Sequence, residues 1–220
     1  TVMLILMSIR KMKRILERTN IQDYTLEGIQ GRELKDLTVG VIGTGRIGRT
    51  VISNLSGFGC RILAYDLYEN EEVKRYGQYV SLEELWREAD VITMHTPLTE
   101  ENFHLVNEKT LSQMKDGVVI VNTARGALID SEALIAGIEN GKIGAAALDV
   151  VENEFGLYYY DHKSDVLSNR ELAILRGFPN VTVSHHMAFY TDNYTKTVVR
   201  DSLSSCKLFM EGKKNPWEVC

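Results

Sequence analysis

Val39-Gly40-Val41-Ile42-Gly43-Thr44-Gly45-Arg46-Ile47-Gly48, with Asp66 eighteen residues beyond, decides the fold of this chain. It reads as a short buried strand, a glycine-rich turn, a helix from about Arg46 and a second strand ending on an acid. Gly43 permits the tight turn, Gly45 lets a pyrophosphate approach the backbone, and Gly48 lets the helix pack closely on the sheet. The helix N-terminus, with its unpaired amides and dipole, favours bound negative charge. A GxGxxG alone is weak, but Arg61-Ile62-Leu63-Ala64-Tyr65-Asp66 supplies the strand and acid that the motif needs. Asp66 stands where a carboxylate accepts the adenosine ribose hydroxyls and repels a 2′-phosphate. The cofactor expected is NAD rather than NADP.

Working outward, strand and helix patterns alternate from residue 37 to about 186. Strands are expected at Leu37–Ile42, Arg61–Tyr65, Val91–Met94, Val118–Asn122, Ala145–Val150 and Val181–Ser184. Between them lie helices over 47–58, from Ser81, over 107–114, and from Asp130 to the stop signal Asn140-Gly141. This predicts an α/β fold with a doubly wound parallel sheet and ligands at the carboxyl ends of the strands. Residues 156–177 interrupt the rhythm with the cluster Tyr158-Tyr159-Tyr160. A last helix is expected over 192–212, with Val198, Val199, Leu203, Cys206 and Phe209 or Met210 on one face.

Composition narrows the class. The 220 residues carry a net charge of −5, with 44% hydrophobic and 25% charged residues, which fits a globular protein and argues against nucleic-acid binding. Cys60, Cys206 and Cys220 are widely spaced with no CxxC, so neither a zinc site nor a disulfide framework is expected, and a reducing, cytoplasmic setting is the simpler reading. The apolar run Val2–Met7 is too short for a membrane span, and its cations follow it rather than precede it. One helix is expected across 1–19, with a cationic last turn complementing its own dipole.

Three polar residues follow separate strands: Arg125 in Asn122-Thr123-Ala124-Arg125-Gly126, Glu154 in Asp149-Val150-Val151-Glu152-Asn153-Glu154, and His186 in Ser184-His185-His186-Met187-Ala188-Phe189-Tyr190. Each alone has an ordinary role as a loop or packing residue. Together, on one edge of a dinucleotide-binding sheet, they suit reduction of a 2-oxo acid. Arginine holds the carboxylate with its planar fork, histidine exchanges the carbonyl proton, and a carboxylate orients the ring.

These motifs resemble the D-2-hydroxyacid dehydrogenases, within them the D-lactate and D-2-hydroxyisocaproate dehydrogenase branch, over essentially the whole chain. The resemblance implies that Arg125 binds substrate, that His186 is the acid/base and that Glu154 is its partner. Cofactor contacts are implied at Gly43, Gly45, Arg46, Ile47, Gly48, Asp66, Thr96, Pro97, Asn102, Thr123, Ala124, Arg125 and Asp149, with a small 2-oxo or 2-hydroxy acid as substrate and a homodimer as the assembly. Where the family commonly has proline before its histidine this chain has His185, so two histidines compete for the role. The resemblance also implies a dinucleotide-binding domain over 1–189, with 1–19 the start of an interdomain helix, and a helix over 190–220 that returns to a substrate domain lying mostly upstream. The alternative is an NAD(H)-binding fragment or corepressor-like sensing module without turnover.

Overall fold

The computed structural model describes residues 1–217, so Cys220 and the last residues of the expected C-terminal segment lie outside the described residues. The sheet strands are β1 (Thr38–Ile42), β2 (Arg61–Tyr65), β3 (Gln78–Tyr79), β4 (Val91–Met94), β5 (Val118–Asn122), β6 (Ile143–Leu148) and β7 (Val181–Val183). All pairings are parallel, in the order β3-β2-β1-β4-β5-β6-β7. The chain builds outward from β1 to β3, then returns to place β4 against the other side of β1. The crevice at the carboxyl ends of β1 and β4 is therefore the switch point, where such sheets bind ligands.

Crossover helices cover both faces: α3 (Arg46–Ser56), α4 (Leu82–Glu88), α5 (Glu108–Gln113), α6 (Ser131–Glu139) and α7 (Arg170–Gly177). Alternating strand residues feed two cores. Val39, Val41, Val119 and Val121 pack with Val51, Ile52 and Leu55 of α3 and with Leu4, Ile5 and Ile9. Ile42, Ile92, Met94 and Ile120 pack with Leu85 and Trp86 of α4 and with Leu134 and Ile138 of α6. β1 and β5 are buried along their whole length, as their unbroken apolar runs require.

Local signals hold where side chains cap helices. Ser81 accepts the Glu84 N–H, Asp130 accepts the Glu132 and Ala133 N–H groups, and Asn107 with Thr110 forms a complete capping box. Two expectations are corrected. Six strands were legible, but the sheet has seven, because β3 is a two-residue edge strand too short to show alternation. The single helix expected across 1–19 is broken into α1 (Val2–Ile9) and α2 (Met12–Asn20) at Lys11, whose φ is +52°. Only α1 is buried, and its last turn carries no cation. Beyond the break, Lys13 Nζ donates to the carbonyls of Phe178 and Val181, each at 2.8 Å, a use of its charge that sequence spacing does not show.

The chain separates into two compact units, one Thr1–His186 and the other from Met187 onward. The second contains α8 (Asp192–Met210), capped by the Thr191 hydroxyl accepting the Tyr194 N–H. None of its residues is buried, and Val199, Leu203, Phe209 and Met210 are exposed.

Candidate active site

The glycine loop follows β1 directly. Gly43 has φ +90°, and a Cβ there would lie 2.7 Å from the His95 carbonyl. A Cβ on Gly48 would lie 1.9 Å from the Gly43 oxygen, so α3 can sit this close only without a side chain. A Cβ on Gly45, by contrast, would meet nothing within 4 Å. That open space faces the start of α3, where Gly45 is the N-cap residue and no side chain caps the amides. The loop thus offers unpaired N–H groups and room for a pyrophosphate, with exposed Arg46 and Ile47 (64% exposed) flanking it.

Asp66 follows β2. Its Oδ2 accepts the Thr44 N–H and the Thr44 hydroxyl, and its Oδ1 accepts the Tyr68 N–H at 3.1 Å. Burial opposes its charge, but these hydrogen bonds outweigh burial and hold the carboxyl below the usual range. The acid is therefore ionised and aligned, as a ribose diol would require. Across the switch point, His95, Thr96 and Pro97 leave β4. Asn102 donates to the Pro97 carbonyl and accepts the Thr99 N–H, both at 2.8 Å, so here its amide shapes the wall formed by Thr96 and Pro97. The His95 ring lies 3.0 Å from the Thr93 hydroxyl, and burial pushes its imidazole down to about 4.

The three strand-end residues lie on loops at the same edge. His186 Nδ1 is 2.7 Å from Glu154 Oε1, and Glu154 Oε2 accepts the Val151 N–H at 2.9 Å. This fixes which histidine meets the acid: His185 instead lies beside the Tyr158 ring, with centroids 6.4 Å apart. His186 has φ +57°, a left-handed conformation costly for a side chain with Cβ. Its N–H donates to the Asp149 carbonyl (2.8 Å), and its carbonyl accepts the Tyr159 hydroxyl (2.8 Å). Asp149 is 2% exposed, and its Oδ1 accepts the Ser184 hydroxyl at 2.6 Å.

Arg125 is exposed after β5, and its loop is set by buried Asn122, which accepts the Ala124 N–H and donates to the Arg125 carbonyl. Gly126 then passes so near the acid loop that a Cβ would sit 2.1 Å from the Val151 carbonyl. Thr123 and Ala124 complete the turn.

Several supporting residues escaped sequence reading because their partners are distant in sequence. His104, with φ +52°, places Nε2 2.7 Å from Glu152 Oε1, while Glu152 Oε2 accepts the Ser131 N–H. This clasp ties the 97–106 loop to the segment that carries Glu154. Tyr159 and Tyr79 also escaped; the only advance signal for Tyr159 was its place in an aromatic cluster.

The loop, the acid and the switch point define a Rossmann-type NAD-binding domain of an oxidoreductase. Residues 2–188 match the family model described as "D-isomer specific 2-hydroxyacid dehydrogenase, NAD binding domain", and the chain belongs to that family. It is 45% identical to an aromatic 2-oxoacid reductase of Clostridium sporogenes, over 100% of this chain and 67% of the relative. Its fold matches a D-lactate dehydrogenase of Treponema pallidum with a TM-score of 0.94 and 35% identity, covering 100% of this chain and 66% of the other. It also matches the NAD+-bound D-lactate dehydrogenase of Lactobacillus jensenii, with a TM-score of 0.91 and 29% identity over 100% of this chain and 66% of that one. The chain thus spans about two thirds of the length of these relatives. No helix among the described residues is long and apolar enough to cross a membrane.

Proposed function

We propose that this chain is the cofactor-binding and proton-exchanging part of an NAD-dependent dehydrogenase that interconverts a small 2-oxo acid and its D-2-hydroxy acid. The observation that carries the reading is the 2.7 Å pair of His186 and Glu154 at the same sheet edge as Arg125. NAD(H), when bound, exchanges a hydride with the substrate carbon. Gly43, Gly45 and Gly48 would hold the pyrophosphate against the start of α3, with Arg46 and Ile47 beside it. Asp66 would accept the ribose hydroxyls, and Thr96, Pro97, Asn102, Thr123, Ala124 and Asp149 would line the rest of the crevice.

The protein's own groups divide the remaining work. The Arg125 guanidinium holds the substrate carboxylate by two parallel hydrogen bonds. With Glu154 engaging Nδ1, the proton exchanged with the substrate oxygen is carried at His186 Nε2, and the carboxylate steadies the imidazolium. Similarity to an aromatic 2-oxoacid reductase and to D-lactate dehydrogenases supports a small 2-oxo acid as the substrate class.

The assembly proposed is a homodimer, as the family resemblance implies. The free thiols of Cys60 and Cys206 support a cytoplasmic setting. NADH oxidation by the full-length protein with pyruvate and phenylpyruvate, beside NADH binding by this chain, tests the function. Binding without any 2-oxo acid reduction by the full-length protein would overturn it.

A further inference from the structure

Asp66 is held by a chain of donors that begins outside the glycine loop. The Asn70 N–H donates to the Tyr79 phenol oxygen at 2.9 Å. The Tyr79 and Thr44 hydroxyls are 2.8 Å apart, and the Thr44 hydroxyl reaches Asp66 Oδ2 at 3.0 Å. Proton counting fixes the direction. A hydroxyl has one proton, and an ionised carboxylate has none. The Thr44 proton is therefore committed to Asp66, so Tyr79 must be the donor to Thr44, and its own oxygen is left to accept from Asn70.

Aligned donors of this kind polarise one another. The placement also matters. Tyr79 lies on edge strand β3, opposite Ala64 of β2, while Thr44 lies between Gly43 and Gly45. One phenol thus links three segments: the phosphate loop, the acid and the 67–70 loop that follows it. The Thr44 N–H and hydroxyl both reach Asp66 Oδ2, the Tyr68 N–H reaches Oδ1, and the Leu67 N–H also stabilises the carboxylate, so its orientation is held from both flanks. A carboxylate held this way cannot swing aside to admit a 2′-phosphate.

We propose that Tyr79 is a specificity-determining positioning residue, whose hydroxyl acts through Thr44 to fix Asp66 for a ribose diol and against a 2′-phosphate. This rests on the reading of Asp66 given above. Dissociation constants of NADH and NADPH, measured by fluorescence titration of this chain, test it in Tyr79→Phe, Asp66→Ala and the double variant. Tyr79→Phe should lower the NADH-over-NADPH preference about fivefold, chiefly by weakening NADH. In the Asp66→Ala background it should change that preference no further. Thr44→Val should reproduce the effect and Thr44→Ser should not, with circular dichroism confirming that each variant is folded. If Asp66→Ala narrows the preference but Tyr79→Phe does not, the relay is overturned and the role of Asp66 stands. Equal weakening of both coenzymes by Tyr79→Phe makes the phenol merely structural and also overturns the proposal. An Asp66→Ala variant with unchanged preference removes the underlying reading, and the relay with it.

Discussion

His186 Nδ1 and Glu154 Oε1 are 2.7 Å apart although 32 positions separate them, and the carboxylate is itself anchored by the Val151 N–H. The acid is thus held by the backbone and holds the ring in turn. Glu154→Gln keeps a hydrogen-bonding group but not the charge that steadies an imidazolium. In the full-length protein its kcat should fall by about 10- to 100-fold with NADH affinity nearly unchanged. Stopped-flow and titration together check this, and a proportionate loss of NADH affinity would count against the pairing.

Arg125→Lys preserves the charge and loses the fork. A point cation cannot make two parallel hydrogen bonds to a carboxylate, so kcat/KM for the 2-oxo acid should fall by about 100-fold. Steady-state kinetics would show the role to be wrong if the value stayed near that of the parent.

Gly126→Ala tests the packing behind that arginine. The added Cβ would lie 2.1 Å from the Val151 carbonyl carbon and oxygen, and both are backbone atoms. The loops bearing Arg125 and Glu154 must then separate. A loss of about 2 kcal/mol or more in urea unfolding is expected, together with reduced turnover.

His95 makes stability depend on pH. Burial holds its imidazole at about 4, below the unfolded value near 6.5. Between these limits the unfolded chain takes up a proton that the folded chain refuses, so stability is lost as pH falls through that window. The loss amounts to up to about 3 kcal/mol. Comparing melting of the parent and His95→Gln at pH 7.5 and 5 isolates the effect: the variant should lose less on acidification.

The fold was legible wherever one segment carried its own signal. The runs 39–42 and 118–121 carry no charged or polar side chain because both faces of their strands are covered, and Gly43 and Gly48 stand where a Cβ would clash, while Gly45 leaves open space at the start of α3. β3 was hidden because its place is set by pairing with β2 rather than by its own two residues. The break at Lys11 was hidden because nothing in the local spacing forces a left-handed residue there. Among the candidate site residues, His186, Glu154 and Arg125 stood out because each lies in the loop that follows a strand. His104, Glu152, Tyr159 and Tyr79 did not, since hydrogen bonds between remote loops leave no periodic trace.

The unit boundary has a mechanical meaning. Arg125, Glu154 and His186 all fall within Thr1–His186, with the histidine as the last residue of that unit. In the function proposed, the groups that would exchange the proton and hold the carboxylate therefore belong to the same compact unit as the glycine loop. Chemistry would begin when a substrate is delivered to a ready-made tool, not when the tool is put together around it.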